Sequence, residues 1–156
     1  MTIKDAMSCF TTGVTVVTAH TQGQDWGMTC NSFNTVSLDP AMVLWSVRKT
    51  SHSHEAFVKA GGYMVNVLGA QQKDLALKFA QGTHEERFAG HNVVRGINHH
   101  PRLDGVIAWF DCRVAHIVSA GDHDILIGEV VDFGVRTGHG LAYAQRSFGV
   151  LAALDE

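Results

Sequence analysis

Two long β-prone runs separated by a short turn constrain this chain more than any other feature. Residues 105–119 and 124–133 are rich in Val, Ile and aromatic side chains, and Ala120-Gly121-Asp122-His123 between them has hairpin chemistry. A hairpin of this length commits the chain to antiparallel pairing. The first run is long enough to form one bent strand.

Other segments extend that sheet. Residues 13–19 are β-branched and predict a strand. Residues 41–48, Ala-Met-Val-Leu-Trp-Ser-Val-Arg, predict another, and residues 62–68, Gly-Tyr-Met-Val-Asn-Val-Leu, a third. Along residues 41–47, Met42 and Leu44 share one face and Val43 and Trp45 the other, so both faces are apolar. Two short helices interrupt the strands. Ser53 is an expected N-cap for a helix over 54–60, with Gly61-Gly62 as its stop. Residues 70–80 place Gln71, Leu75 and Phe79 on one helical stripe. This is a mainly β pattern, a closed or nearly closed antiparallel barrel with a few helical excursions, not alternating βαβ units.

At 156 residues, with two prolines and no low-complexity tract, one domain over 1–156 is expected. The 46% hydrophobic content supports a real core. A net charge of -3 argues against a general nucleic-acid binder. No apolar run approaches the length of a membrane span, and Thr2-Ile3-Lys4-Asp5 lacks the apolar core of a signal peptide. Three distant cysteines, Cys9, Cys30 and Cys112, suit a reducing cytoplasm better than a disulfide framework.

The chemistry concentrates in residues 27–40. Thr29, Asn31, Ser32, Asn34, Thr35, Ser37 and Asp39 lie between two apolar runs, Gly27 opens the segment, and Asp39-Pro40 closes it. Small polar side chains offer hydrogen bonds in several directions and let a flat ligand approach the backbone. On composition alone, the same segment reads as a polar-faced strand running into a loop. Downstream, residues 46–53 combine Arg48 and Lys49 with Ser46, Thr50, Ser51 and Ser53 at an expected helix start, a setting suited to a phosphate or simply to a solvated loop. No Gly-x-Gly-x-x-Gly or P-loop pattern is present, so a Rossmann site is not expected. The ten histidines include no His-Glu-x-x-His, and no Cys-x-x-Cys accompanies them, so no metal site is expected. Gly-x-Ser-x-Gly is also missing, which argues against a hydrolase of that type.

The run Gly27-Met28-Thr29-Cys30-Asn31-Ser32-Phe33, followed by Val36-Ser37-Leu38-Asp39-Pro40, resembles the signature of the flavin reductase family. Further pieces match in order: Gly13 to Thr18, Asn66-Val67-Leu68, Pro101-x-Leu103, Cys112-Arg113-Val114, Gly121-Asp122-His123 and Ile127-Gly128-Glu129-Val130. The resemblance implies a six-stranded antiparallel FMN-binding split barrel. It implies an NAD(P)H:flavin oxidoreductase that reduces FMN or FAD with NADH or NADPH. Reduced flavin would pass by diffusion to a partner monooxygenase acting on an aromatic or similar substrate. A homodimer is the usual assembly of the family. Two rivals remain: a non-catalytic flavin- or haem-binding split barrel, and a reductase with bound flavin that passes electrons to ferric iron or a cobalt corrinoid.

The resemblance also implies site residues. Thr29, Cys30, Asn31 and Ser32 would meet the flavin ring edge, with Cys30 a small packing residue rather than a reactive thiol. Ser46, Lys49, Ser51 and Ser53 would hold the flavin phosphate, within a stretch that includes Val47. Arg48 is the second choice there, because neighbours on an extended chain point opposite ways. His123 of Gly121-Asp122-His123 would orient the nicotinamide, and Asp122 is expected to cap the turn rather than brace His123. Phe148, in the closing segment Tyr143-Ala144-Gln145-Arg146-Ser147-Phe148-Gly149, would stack on a ring, although Ser147-Phe148 departs from the commoner basic–Tyr pair. Phe88 is expected to anchor the core.

Overall fold

The computed structural model describes residues 1–155. In chain order they form α1 (Ile3–Ser8), β1 (Thr12–Gly13), β2 (Thr15–Thr21), β3 (Gln24–Cys30), β4 (Asn34–Leu38) and β5 (Ala41–Arg48). There follow α2 (His54–Lys59), β6 (Gly62–Val67), α3 (Lys73–Gln81), α4 (His84–Phe88), β7 (Val93–Arg95) and β8 (Pro101–Leu103). The chain ends with β9 (Ala108–Ala120), β10 (His123–Val135), β11 (Leu141–Ala144) and β12 (Ser147–Val150).

The anticipated hairpin is the spine of the fold. β9 and β10 pair from Ala120–His123 down to Ala108–Val135, with irregularities that bend the ribbon. Gly121 makes the connection at a φ of 60°, a backbone region that glycine adopts without penalty. The main sheet has the order β3-β2-β6-β9-β10-β5-β4, with antiparallel pairing throughout. It has seven strands rather than the expected six. The addition is β4, within the stretch whose polarity suggested a loop. β4 is an edge strand with mostly exposed side chains, which is why its polar composition concealed it.

The sheet rolls onto itself. Val17 and Ala19 of β2 share a core with Val43, Trp45 and Val47 of β5, although these strands lie far apart in the sheet order. Trp45 packs edge-on against Phe57 at 4.8 Å and Tyr63 at 5.9 Å. The Tyr63 hydroxyl donates across the interior to Leu126 O at 3.0 Å. Gly128 makes room for it, since a Cβ there would meet that oxygen at 2.5 Å.

A second core lies outside the barrel, where α3 covers β2. Val14 and Val16 pack there with Ala76 and Phe79, and Phe88 joins from α4, meeting Phe79 edge-on at 5.1 Å. Phe88 is therefore the core anchor expected. Gly27 matters here for space, not for φ: a Cβ would lie 2.6 Å from the Phe79 ring. The helix expected over 70–80 begins at Lys73, with Gln72 before it accepting from Gly69 N through Oε1 at 2.9 Å. Ser53 precedes α2 but makes no side-chain capping bond. Among the described residues, no helix is long and apolar enough to cross a membrane.

Candidate functional site

The hydroxyl-rich segment lies at one end of the barrel, where β3 gives way to the loop before β4. Its side chains are less free than their composition suggests. Thr29 Oγ1 donates to Ala76 O of α3 at 2.6 Å. Ser32 Oγ donates to Ser46 O at 3.1 Å and accepts from Ser46 N at 3.0 Å. These hydroxyls hold α3 and β5 against the segment, leaving its backbone edge to meet a ligand. Asn31 remains exposed between them. The buried Cys30 thiol lies 3.1 Å from Thr15 Oγ1, and burial pushes its pKa up. A protonated, packed thiol is not a nucleophile, as its reading as a packing residue requires.

A cavity of about 420 Å³ brings most of the sequence candidates together. Thr29, Cys30, Asn31 and Ser32 line it from β3 and the loop; Ser46, Arg48 and Ser51 line it from β5 and beyond; His123 closes it from β10. Arg48 and His123 are direct cross-strand partners in the β5–β10 register. Among the described residues Arg48 forms no ion pair, so its charge is free for a ligand.

Two candidates are placed elsewhere. Val47 points into the barrel and is fully buried in the main core, because alternation along β5 puts Val43, Trp45 and Val47 inside. The Lys49 ammonium turns away from the cavity and donates to Gly121 O at 3.0 Å and to Ser119 Oγ. The order of the two cations is thus reversed: Arg48 faces the cavity and Lys49 braces the β9–β10 turn.

His123 Nδ1 lies 2.7 Å from Asp122 Oδ1. Asp122 therefore braces the imidazole, contrary to the expectation that it would only cap the turn. The hydrogen bond from His123 holds the Asp122 carboxyl below the usual range. A carboxylate at Nδ1 fixes the proton there and leaves Nε2 as the ring's acceptor.

Two further cavities adjoin the first. One of about 660 Å³ shares Met28, Thr29 and Ser51 with it and includes Ser53, His84 and Arg87. The other, about 420 Å³, shares Thr29, Cys30 and Asn31 and includes Phe148 and Tyr143, whose rings lie 5.0 Å apart. Ser53 and Phe148 thus line neighbouring cavities, each of which shares residues with the first. Sequence reasoning missed Arg87, which donates to Gly27 O at 2.7 Å and Gly82 O at 3.0 Å. In the sequence it reads as one charge in a solvated run. The signal that would have helped is the capping box of Thr83 and Glu86, which marks the start of α4.

Residues 7–152 match the family model described as "Flavin reductase like domain". The chain is 42% identical over 147 residues to the reductase component of a flavin-dependent trigonelline monooxygenase from Acinetobacter baylyi, covering 94% of this chain and 47% of that protein. It is 42% identical over 148 residues to the FMN reductase (NADH) SmoA of Agrobacterium fabrum, covering 94% of this chain and 83% of that one. The chain spans about half the length of the first of these relatives. The fold matches the NADH:FAD oxidoreductase SgcE6 of Streptomyces globisporus, solved with NAD and FAD fragments, with a TM-score of 0.91 and 32% identity over 96% of this chain and 91% of that one.

Proposed function

The chain belongs to the flavin reductase-like family, and from that premise we propose that it is an NAD(P)H-dependent flavin reductase supplying reduced flavin to a separate monooxygenase. The observation that carries this is the cavity joining the free guanidinium of Arg48, the hydroxyls around it and His123. That donor set fits a flavin nucleotide: a fixed cation and short donors for its phosphate, and an exposed backbone edge for its ring.

In this reading Arg48, Ser46 and Ser51 bind the phosphate. The backbone of Thr29 to Ser32 meets the polar edge of the ring, positioned by the bonds from Thr29 to Ala76 and from Ser32 to Ser46. His123, held by Asp122, orients the nicotinamide through Nε2. Phe148 borders the ring from its neighbouring cavity. The nicotinamide supplies a hydride to the flavin ring, so the protein contributes position and electrostatics rather than a catalytic acid. Relatives named as reductase components support the monooxygenase partner. Its substrate, aromatic or otherwise, belongs to that partner.

A homodimer completes the proposal. Leu44 and Ile127 are register partners on the outer face of the β5–β10 ribbon, and Met42 and Ile125 extend the same face. α3 and α4 pack on β2 and β3, and α2 meets the opposite side of the ribbon through Phe57 on Trp45 and His54 on Asp124, so these contacts do not cover it. A second copy presenting the same patch would.

The deciding experiment is NADH and NADPH oxidation with and without added FMN or FAD. Strong stimulation by free flavin supports a reductase. Flavin binding without any nicotinamide oxidation would make the protein a binder and overturn the proposal.

A further inference from the structure

A polar cavity of about 360 Å³ lies apart from the cleft, at the other end of β2 and β3. Thr15 pairs with Cys30 beside the cleft, and His20 pairs with Asp25 beside this cavity. His20, Ala60, Gly61, Asn98, His100 and Arg113 line it, and none of them lines the three cavities around Thr29. We propose that this cavity is a second binding site, which takes a small oxyanion of the hydrogenphosphate type. Such a site stands whether or not the cleft holds a flavin.

His100 is its anchor. The residue is 3% exposed, and its Nδ1 accepts from His20 N–H at 3.0 Å. Burial keeps the ring neutral, so its single proton sits on Nε2. That Nε2–H makes no hydrogen bond among the described residues. It points to the corner at Gly62, where an added Cβ would meet it at 2.8 Å. Gly62 is the register partner of Arg113, so the guanidinium side chain starts from the same corner. A buried donor without an acceptor costs stability, and a ligand oxygen in the cavity removes that cost.

The surrounding charges suit an anion. Arg113 reaches Glu129 through Nη2 alone, at 3.1 Å, which leaves its other N–H groups free. Asp25 is engaged by the Arg95 guanidinium and by His20 Nδ1, the latter at 2.7 Å. Arg95 also donates to His99 O at 3.2 Å, and Ile97 N–H donates to Asp111 Oδ2 at 2.9 Å. The loop that presents Asn98 is therefore tied down on both sides of that residue. His20 decides between anions. With its Nδ1 proton given to Asp25, the neutral ring has only a lone pair at Nε2. Sulfate or a carboxylate would set a negative oxygen against that lone pair. Hydrogenphosphate keeps a P–OH at neutral pH. It donates to His20 while its other oxygens accept from His100, Arg113 and Asn98.

The test is calorimetric titration with inorganic phosphate, and separately with sulfate, at neutral pH and fixed ionic strength. The full chain carries Arg48→Ala, so that the cation of the cleft does not contribute. One phosphate should bind per chain, and sulfate should bind more weakly. Adding Arg113→Gln should weaken phosphate about tenfold or more, the loss expected of a charge-assisted hydrogen bond. Asn98→Ala should weaken it by a smaller factor. Both side chains are on exposed residues, and unchanged far-ultraviolet circular dichroism reports that the variants fold. No phosphate binding overturns the proposal, and so does binding that Arg113→Gln leaves unchanged. Sulfate bound as tightly as phosphate overturns the choice of ligand, because His20 would then be a donor.

Discussion

Ser32 and Ser46 hold each other at both ends: Ser46 N–H donates to Ser32 Oγ at 3.0 Å, and Ser32 Oγ donates back to Ser46 O at 3.1 Å. The pair ties the loop after β3 to the middle of β5, across the mouth of the cleft. Ser32→Ala leaves a backbone donor and acceptor unpaired in a half-buried place. It should cost about 1–2 kcal/mol of stability. A lower urea midpoint with unchanged slope is the expected result, and an unshifted midpoint would mean that water replaces the hydroxyl at no cost.

Arg48 and Lys49 are adjacent in sequence but serve different places: Arg48 faces the cavity and Lys49 the β9–β10 turn. Arg48→Ala should weaken flavin binding by about tenfold or more, the loss expected of a charge-assisted hydrogen bond worth roughly 1.5–3 kcal/mol. Ser51→Ala should weaken it in the same direction. Lys49→Ala should bind flavin close to wild type, because its ammonium is committed to Gly121 O and Ser119. Fluorescence titration of flavin measures all three. The opposite ranking of the two cations would place the phosphate beside the β9–β10 turn instead of in the cavity.

His123→Ala should raise the KM for the nicotinamide nucleotide and leave flavin affinity nearly intact. Asp122→Ala should produce a smaller effect of the same kind, because it frees the imidazole without removing it. Steady-state kinetics at saturating flavin separate the two. A collapse of flavin binding in His123→Ala would give the residue a flavin role instead.

The sequence revealed the strands whose side chains had a clear preference. The run containing Val43, Trp45 and Val47 was legible because alternation along a buried strand leaves that trace. β4 was not, because an exposed edge strand has no apolar face to show. The site divides in the same way. Thr29, Asn31, Ser32, Ser46, Ser51 and His123 were found from their motifs and do converge. Their hydrogen bonds could not be read in advance: that Ser32 faces Ser46, and that Lys49 reaches Gly121, depends on how distant strands register. Arg87 was legible only indirectly, through the Thr83–Glu86 capping box that starts its helix, since its own partners are backbone carbonyls.

His100 should make stability depend on pH. It is 3% exposed, its Nδ1 accepts from His20 N–H at 3.0 Å, and burial lowers its pKa to about 4 from the ordinary 6.5. His20, His99 and Asp25 are the charged neighbours that bear on it. Below the ordinary value the unfolded chain takes up a proton that the folded chain refuses. Stability from this group is therefore complete above about pH 6.5 and is lost as pH falls toward about 4, at up to about 1.4 kcal/mol per unit. Asp111 acts oppositely, since burial raises its carboxyl pKa and the folded chain holds that proton more tightly. The informative quantity is the difference between wild type and His100→Gln, which keeps an acceptor for His20. Chemical denaturation across that window should show a shallower acid loss in the variant. Equal slopes would mean that His100 becomes charged in the folded state without cost.

The last prediction concerns the outer face of the β5–β10 ribbon. Leu44 and Ile127 are paired in register, and each strand's inward side is already committed: Val43, Trp45 and Val47 on β5, Leu126 on β10. Neither Leu44 nor Ile127 packs against the two cores. Val118, paired with Ile125, continues the patch and is 45% exposed. An apolar band of this kind on a two-faced sheet calls for a cover. α3 and α4 lie against β2 and β3, so they do not provide it. A two-fold axis through the ribbon would bury the band of each chain against the other. Light scattering should give about twice the 16.9 kDa of one chain. Ile127→Lys places a charge at the centre of that contact and should shift the mass toward the monomer, because an unpaired buried charge is strongly disfavoured. The inward cores do not use this side chain, so the variant should keep its far-ultraviolet circular dichroism. A wild-type mass equal to one chain, with flavin bound, would remove the dimer. A dimer that survives Ile127→Lys would move the interface to another face.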